Sequence, residues 1–209
     1  MATYAALAFT EPVKQLQQRY GSRAAYARQE NHTYTAGLTE HEAAFLAERD
    51  SFYLASIGEN GYPYVQHRGG PKGFLRVIDS HRLGFVDYTG NKQYISVGNL
   101  LTHPQVSVLL MDYPRRTRLK IYANARIVEL SEEPALFAQL DPADYPHRPE
   151  RMLVLTVQAY DWNCPQHITP RYTAEEVNAA LAEQTAYVRQ LEGEIARWRQ
   201  QAADSPPAP

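Results

Sequence analysis

The feature that most constrains the fold is a series of short apolar segments separated by tight turns. Between Phe52 and Tyr160 the sequence contains six or seven segments whose apolar residues alternate or run together, as they do in β-strands. Most connections are too short for the helical crossovers that parallel strands require. The pattern therefore predicts a mainly β protein, in which six or seven antiparallel strands form a closed or split β-barrel with flanking helices.

The individual strands can be placed from the same pattern. They are predicted at residues 52–57, 62–67, 74–78, 83–86, 105–111, 119–130 and 152–160. The segment 105–111 is apolar at nearly every position, which predicts a strand buried on both faces. Before the first strand, Thr39 and Glu42 have the spacing of a capping box and predict the start of a helix. A short helix is also predicted at 132–140.

Four parts of the chain differ in composition and pattern. Residues 1–38 are predicted to form an N-terminal helical extension, whose aromatic side chains indicate that it lies against another surface, with a partner subunit as one candidate. Residues 39–172 contain the predicted barrel. Residues 173–201 are predicted to form one amphipathic helix, and the composition of 202–209 predicts a disordered tail.

The C-terminal helix carries apolar residues at alternating steps of four and three, with one polar interruption. The residues are Val177, Leu181, Gln184, Val188, Leu191, Ile195 and Trp198. A heptad pattern of this kind needs a second surface to cover it. It predicts a homodimer in which the helix contributes contacts, and packing of the helix on its own barrel is the alternative.

The composition argues against several kinds of binding partner and cellular compartment. A formal net charge of −2 gives no reason to expect nucleic acid or an anionic membrane as a partner. Cys164 is the only cysteine, which excludes an intrachain disulfide and favours a reducing compartment. With no predicted membrane span and no signal peptide at the N-terminus, the protein is predicted to be cytoplasmic. Cys164 and His167 do not have the spacing of a metal site, so no metal is predicted.

A loop and helix entry after residues 83–86 has the pattern of an anion-binding site. The loop ends in Gly-Asn, and the predicted helix carries polar side chains in its first two turns. The loop contributes Asn91, and the predicted helix contributes Lys92, Gln93, Ser96 and Asn99. The first N–H groups of a helix have no partner within it and lie at its positive end, so the site would suit a phosphate. An ordinary turn followed by a helix is the alternative interpretation.

A glycine-rich, basic segment precedes this region. Its glycines, including Gly69, would let the backbone pass close to a flat ligand, and Arg68, Lys72 or Arg76 would supply positive charge. The chain contains neither a GxGxxG nor a Walker pattern, which argues against a Rossmann or P-loop nucleotide site.

Four stretches of the sequence together carry a family resemblance. They are RGGPKGFLRVID, LGFVDYTGNKQYISVGNLL, QVSVLLMDY and DWNCPQHITPRYT. The sequence resembles the FMN-binding split-barrel superfamily related to pyridoxamine 5′-phosphate oxidase, and the last stretch resembles its flavin-nucleotide-binding branch. The resemblance covers roughly residues 39–173.

The resemblance implies FMN as cofactor, bound at a homodimer interface and contacted by both chains. The implied contacts are Arg68, Phe74 and Val77 to the ring and ribityl edge, Asn91, Lys92, Gln93, Ser96 and Asn99 to the phosphate, and Trp162, Asn163, Cys164 and Gln166 as a cover for the ring. In the alternative interpretation the tail is an irregular crossover, in which Trp162 packs and His167 makes a backbone hydrogen bond.

The sequence also departs from the pyridoxamine 5′-phosphate oxidases. Their Gly-Ser-Arg-Lys loop carries two cations, whereas Gly-Asn-Lys-Gln at residues 90–93 carries one, so further charge would have to come from Arg68 or Arg76. The basic turn at residues 113–118 is interpreted as a solvated hairpin tip; in the alternative, Arg118 or Lys120, just inside the strand, faces acidic groups of the ligand. No clear counterpart of those enzymes' C-terminal substrate-phosphate motif is present, which argues against oxidation of vitamin B6.

Three functional hypotheses follow. The first is an FMN-dependent oxidoreductase that acts on a small molecule, with no general base identifiable from spacing. The second is a non-catalytic flavin or haem binder, with His67, His103 and His167 as candidate iron ligands. The third is use of a deazaflavin on the same fold.

Overall fold

A computed structural model describes residues 3–30, 37–142, 144–162 and 165–204. Its strands are β1 (Ser51–Ile57), β2 (Pro63–Gly69), β3 (Arg76–Asp79), β4 (Arg82–Tyr88), β5 (Gln105–Asp112), β6 (Thr117–Val128) and β7 (Pro149–Trp162). Its helices are α1 (Tyr4–Ala8), α2 (Glu11–Arg19), α3 (Arg23–Glu30), α4 (Glu40–Ala47), α5 (Ile95–Thr102), α6 (Pro134–Leu140) and α7 (Ala174–Asp204).

The seven strands form one antiparallel sheet in the order β2-β1-β5-β6-β7-β4-β3, which confirms the predicted fold class. The sheet curls until its two ends meet, although no ladder of backbone hydrogen bonds joins them. Phe52 on β1 and Phe85 on β4 approach edge to face with ring centroids 5.2 Å apart, and Arg68 on β2 forms an ion pair with Asp87 on β4. Side chains therefore close this split barrel where backbone pairing does not.

The main core fills the inside of the curled sheet. Its largest fully buried side chains include Phe52, Leu54, Phe85, Leu110, Ile121 and Leu153. A second, smaller cluster forms where α6 places Leu140 against Val86 and Met152. The core explains a correction to β5, which was predicted to be buried on both faces. Only alternate residues from Val106 to Asp112 are fully buried, because one face of the strand lines the core and the other is half-exposed.

The helix predicted from Thr39 begins as expected. Thr39 and Glu42 form a complete capping box, in which the Glu42 carboxylate accepts from the Thr39 backbone N–H at 2.9 Å. Glu42 is buried, and it also accepts from the Trp162 indole N–H at 2.8 Å. Burial opposes the charged form of Glu42, but these hydrogen bonds outweigh it and hold the pKa of Glu42 below its usual value. The cap therefore also anchors the end of β7.

The N-terminal extension packs on its own barrel. Tyr4 of α1 stacks on Tyr122 of β6 with ring centroids 4.7 Å apart, and the Lys120 ammonium lies 4.4 Å from the centroid of the Tyr4 ring. Within the extension, Glu30 pairs with Arg23 and with Lys14, whose Nζ is 3.0 Å from the carboxylate. The aromatic side chain of Tyr4 is therefore covered by a surface of its own chain.

Two of the glycines in the segment before β3 are required for packing within the chain. A Cβ at Gly70 would lie 2.7 Å from the ring of Phe74, and one at Gly73 would lie 3.0 Å from the backbone oxygen of Ala47. Gly73 also has a φ of +74°, which a side chain would strain. These glycines therefore let the segment pass close to Phe74 and α4, whereas Gly69 lies exposed at the end of β2.

The chain forms two compact units, Met1–Ile168 and Thr169–Pro209. The first contains the barrel and helices α1–α6, and the second consists largely of α7. No helix in the described ranges has both the length and the apolar character needed to cross a membrane.

Candidate functional site

A cleft of about 220 Å³ lies between β2, the end of β4, the start of β7 and the loop that leads into α5. It brings together five of the residues that the sequence suggested as cofactor contacts. These are Arg68, Asn91, Lys92, Gln93 and Ser96. They come from two separate parts of the chain, the glycine-rich segment and the Gly-Asn loop, which the curl of the sheet places side by side.

The loop between β4 and α5 has an unusual backbone. Lys92 and Tyr94 both have left-handed φ angles, +60° and +53°, which cost about 1 to 3 kcal/mol for each residue that is not glycine. The Asn91 side chain accepts from the backbone N–H of Gln93 at 3.2 Å and supports the turn. The predicted helix start is therefore wrong: left-handed residues cannot belong to a right-handed helix, so Lys92 and Gln93 precede α5, which begins at Ile95.

This loop delivers the N-terminus of α5 to the cleft. Tyr94 is the N-cap residue and makes no side-chain capping bond, and the first helical hydrogen bond runs from Gly98 N–H to the Tyr94 carbonyl at 2.8 Å. The N–H groups of the first turn therefore have no partner within the helix. Ser96 is buried in that turn, and Lys92 adds a positive charge beside it. Such a group of donors at a positive helix end binds anions.

Buried ion pairs hold the floor of the cleft. Asp87 is only 4% exposed, and its two carboxylate oxygens face Arg68 and Arg151, with the Arg151 Nη1 at 3.4 Å. Arg151 also pairs with Glu150 at 3.0 Å, and its guanidinium lies 5.1 Å from the centroid of the Tyr94 ring. Among the lining residues, the cations Arg68 and Lys92 balance the carboxylates of Asp87 and Glu150, and Arg151 behind the lining adds one further positive charge.

Two further groups define what the cleft can do. The Arg68 Nε is buried and has no hydrogen-bond partner among the described residues. Burial, together with the nearby Tyr145 and Asp141, raises the pKa of Tyr88 to about 12. The Tyr88 phenol therefore stays protonated at neutral pH and cannot serve as a base.

The remaining predicted residues of the glycine-rich segment and α5 lie outside the cleft lining. Phe74 is 3% exposed and stacks on Phe52 in the core, with ring centroids 5.4 Å apart. Val77 packs against the same core, and Arg76 is exposed at the start of β3. Asn99 donates to the Ser56 hydroxyl at 3.0 Å and lines a neighbouring hollow beside the β1–β2 turn.

Of the predicted tail contacts, the two that the structure describes, Trp162 and Gln166, do not line the cleft. Trp162 ends β7, twelve residues beyond Glu150 of the cleft, and its indole packs edge-on against Phe45 at 4.8 Å. This agrees with the interpretation in which Trp162 packs within the chain. Gln166 is exposed, and Asn163 and Cys164 fall outside the residues that the structure describes.

The other candidate charges and iron ligands are dispersed. Lys120 pairs with Asp161 at 3.1 Å, and neither Lys120 nor Arg118 lines the cleft. His67 lies on β2, His103 caps the end of α5, and His167 lies in a turn after β7. Across residues 3–30, 37–142, 144–162 and 165–204, no three His, Cys, Asp or Glu side chains cluster as they would around a metal ion.

Sequence reasoning did not identify Asp87, Arg151 and Glu150. Asp87 follows a run of apolar residues within β4, and an acid in such a position needs a cationic partner when it is buried. That signal was available in the sequence. The sequence did not show that Arg151 is a partner, because Arg151 lies 64 residues away and meets Asp87 only through the β4–β7 pairing.

Replacing Arg68 by methionine should test the ion pair that spans the split. We expect the free energy of unfolding to fall by about 2 to 3 kcal/mol, because Asp87 stays buried with only Arg151 to balance it. The matched control is Arg82→Met, which removes an exposed pair with Asp79 and should cost less than about 1 kcal/mol. Urea denaturation measures both, and equal losses would contradict the role given to Arg68.

Comparison with known proteins identifies the family. A family model described as pyridoxamine 5′-phosphate oxidase matches residues 38–163, more than half of the 209-residue chain. No curated protein matches the sequence.

Several solved structures are similar to the chain. HupZ of Group A Streptococcus is 14% identical with a TM-score of 0.47, and the match covers 65% of this chain and 100% of that one. A protein from Clostridium acetobutylicum related to general stress protein 26 is 16% identical with a TM-score of 0.43, over 66% and 95% of the two chains. An FMN-binding protein from Syntrophomonas wolfei is 14% identical with a TM-score of 0.43, over 70% and 97%. On the strength of the family model, the chain belongs to the pyridoxamine 5′-phosphate oxidase family.

Proposed function

We propose that the protein binds FMN in the cleft, with the FMN phosphate at the loop of residues 90–94 and the N-terminus of α5. The observation that carries this proposal is the convergence of Lys92, the buried Ser96 and the first-turn N–H groups of α5 on one small cleft. Two left-handed residues hold the loop in this form, and strain of this kind occurs at binding sites.

The cleft residues suit a single phosphate. One helix N-terminus and one lysine offer one anion site, and the described cleft has no second site of this kind for the pyrophosphate of FAD. Arg68, which lines the same cleft, would add positive charge near the phosphate. The loop of the pyridoxamine 5′-phosphate oxidases carries a second cation, and Arg68 would replace part of its charge here. The ion pair with Asp87 neutralises much of the charge on Arg68.

We propose further that the protein is an FMN-dependent oxidoreductase acting on a small molecule. Bound FMN would supply the electron transfer, and the chain would supply binding and orientation. The described cleft side chains offer no unengaged base. Asp87 and Glu150 are both paired with arginine, and Tyr88 stays protonated. A reaction that needs only hydride transfer to or from the flavin therefore fits this cleft better than one that needs proton abstraction from carbon.

Lys92→Ala should weaken FMN binding by about ten- to a hundredfold, because a charge-assisted contact to phosphate contributes about 1.5 to 3 kcal/mol. Quenching of flavin fluorescence during titration measures the affinity. Lys120→Ala is the matched control, since Lys120 pairs with Asp161 and does not line the cleft. Unchanged affinity in Lys92→Ala, or an equal loss in Lys120→Ala, would place the phosphate elsewhere.

The oxidoreductase proposal predicts reduction of the bound flavin by a biological donor. In the absence of oxygen, NADH or NADPH should bleach the absorption of the FMN-loaded protein. Dithionite is the positive control, because it reduces the flavin chemically. If dithionite bleaches the flavin and neither nicotinamide does, a carrier or sensor would account for the cleft better than an enzyme.

A further inference from the structure

The helix α7 carries an apolar face that is open to solvent. Its six apolar seam residues are between 38% and 73% exposed. They are Val177, Leu181, Val188, Leu191, Ile195 and Trp198. A single helix that leaves such a stripe in water is only marginally stable, because helices gain most of their stability by covering an apolar face. The stripe therefore calls for a partner surface.

The order of residue types along the stripe indicates two parallel strands. In heptad notation the a positions are Leu181, Val188 and Ile195, and the d positions are Val177, Gln184, Leu191 and Trp198. Two of the three a residues are β-branched, and d includes a leucine. β-Branched residues at a with leucine at d favour a two-stranded parallel coiled coil, and the stripe matches this combination at Val188, Leu191 and Ile195.

A groove on α7 lies over the seam. The groove is lined in part by Leu181, Gln184, Thr185 and Val188. These residues occupy positions a, d, e and a. In a parallel coiled coil, this set of four forms the hole that receives a d-position side chain of the facing helix. The side chain received there would be Gln184 of the partner subunit.

Charge complementarity also favours the parallel arrangement. Glu194 is at a g position and Arg199 at the e position of the following heptad. In a parallel, in-register pair, Glu194 faces Arg199 of the partner subunit, and the contact occurs twice. An antiparallel pair would instead place e beside e and g beside g. The bond that Glu194 accepts from Gln190 at 3.0 Å lies along one helix, so the two contacts are compatible.

We propose that α7 forms a parallel two-stranded coiled coil with α7 of a second copy of the chain. The 31 residues of the helix span about 46 Å at 1.5 Å per residue, enough for four heptads. Gln184 is the polar break in the seam, where the two glutamine side chains meet in one layer. A single polar layer of this kind fixes register at some cost in stability. The proposal does not depend on what binds in the cleft of the barrel.

Disulfide cross-linking between two full-length chains tests the coiled coil directly, even if the barrels also associate. In a chain whose only cysteine is removed by Cys164→Ser, Gln184→Cys places one thiol in each chain at the same d layer. Under mild oxidation we expect cross-linking at least about tenfold faster than in the matched control Ala186→Cys, whose f position faces away from the seam. The product should migrate at 47.4 kDa, twice the chain mass of 23.7 kDa.

Charge exchange then tests orientation. In the Gln184→Cys background, Glu194→Arg should slow cross-linking several-fold, and adding Arg199→Glu should restore it, since only the parallel pair joins these positions. Ile195→Glu in the same background places a charge in the seam and should abolish cross-linking. Equal cross-linking of Gln184→Cys and Ala186→Cys, or failure of the double exchange to restore the rate, would overturn the proposal.

Discussion

A buried carboxylate, that of Asp87, is the interaction on which both the barrel and the cleft depend. It lies on β4 and faces Arg68 of β2 and Arg151 of β7. Because β2 and β4 are not neighbours in the hydrogen-bonded sheet, the Arg68 contact joins its two ends through side chains. Removing one partner of a buried pair leaves a charge that water cannot reach, so the three residues act as a unit.

The same unit determines the chemistry of the cleft. Asp87 lies three residues before Gly90, so the strand that it anchors delivers the left-handed loop and the N-terminus of α5 to a fixed place. Its two arginines neutralise both nearby carboxylates, which leaves Lys92 and the N-terminus of α5 as the unpaired positive groups of the cleft. The result is a cleft that is well suited to hold an anion and poorly suited to remove a proton from a substrate.

Local patterns predicted much of the fold. Tight turns between short apolar segments indicated the antiparallel barrel, and the Thr39 capping box located α4. Features that depend on distant contacts were not predictable in this way. Phe74 is buried because β1 and β4 bring Phe52 and Phe85 against it. The start of α5 depends on the left-handed backbone angles of Lys92 and Tyr94, which the spacing of apolar residues does not predict. The Gly-Asn-Lys loop and Arg68 were predicted from sequence, but the contact between Arg151 and Asp87 became visible only through the β4–β7 register.

The central claim is that the loop of residues 90–94 and α5 bind the phosphate of a flavin. Comparing FMN with riboflavin, which lacks the phosphate, tests it most directly. We predict that the wild-type protein binds FMN at least about tenfold more tightly than riboflavin, because charge-assisted contacts are lost with the phosphate. In Lys92→Ala the ratio should fall towards one, since the phosphate and Lys92 act through the same contact. Equal affinities in the wild type, or a ratio unchanged in Lys92→Ala, would contradict the account.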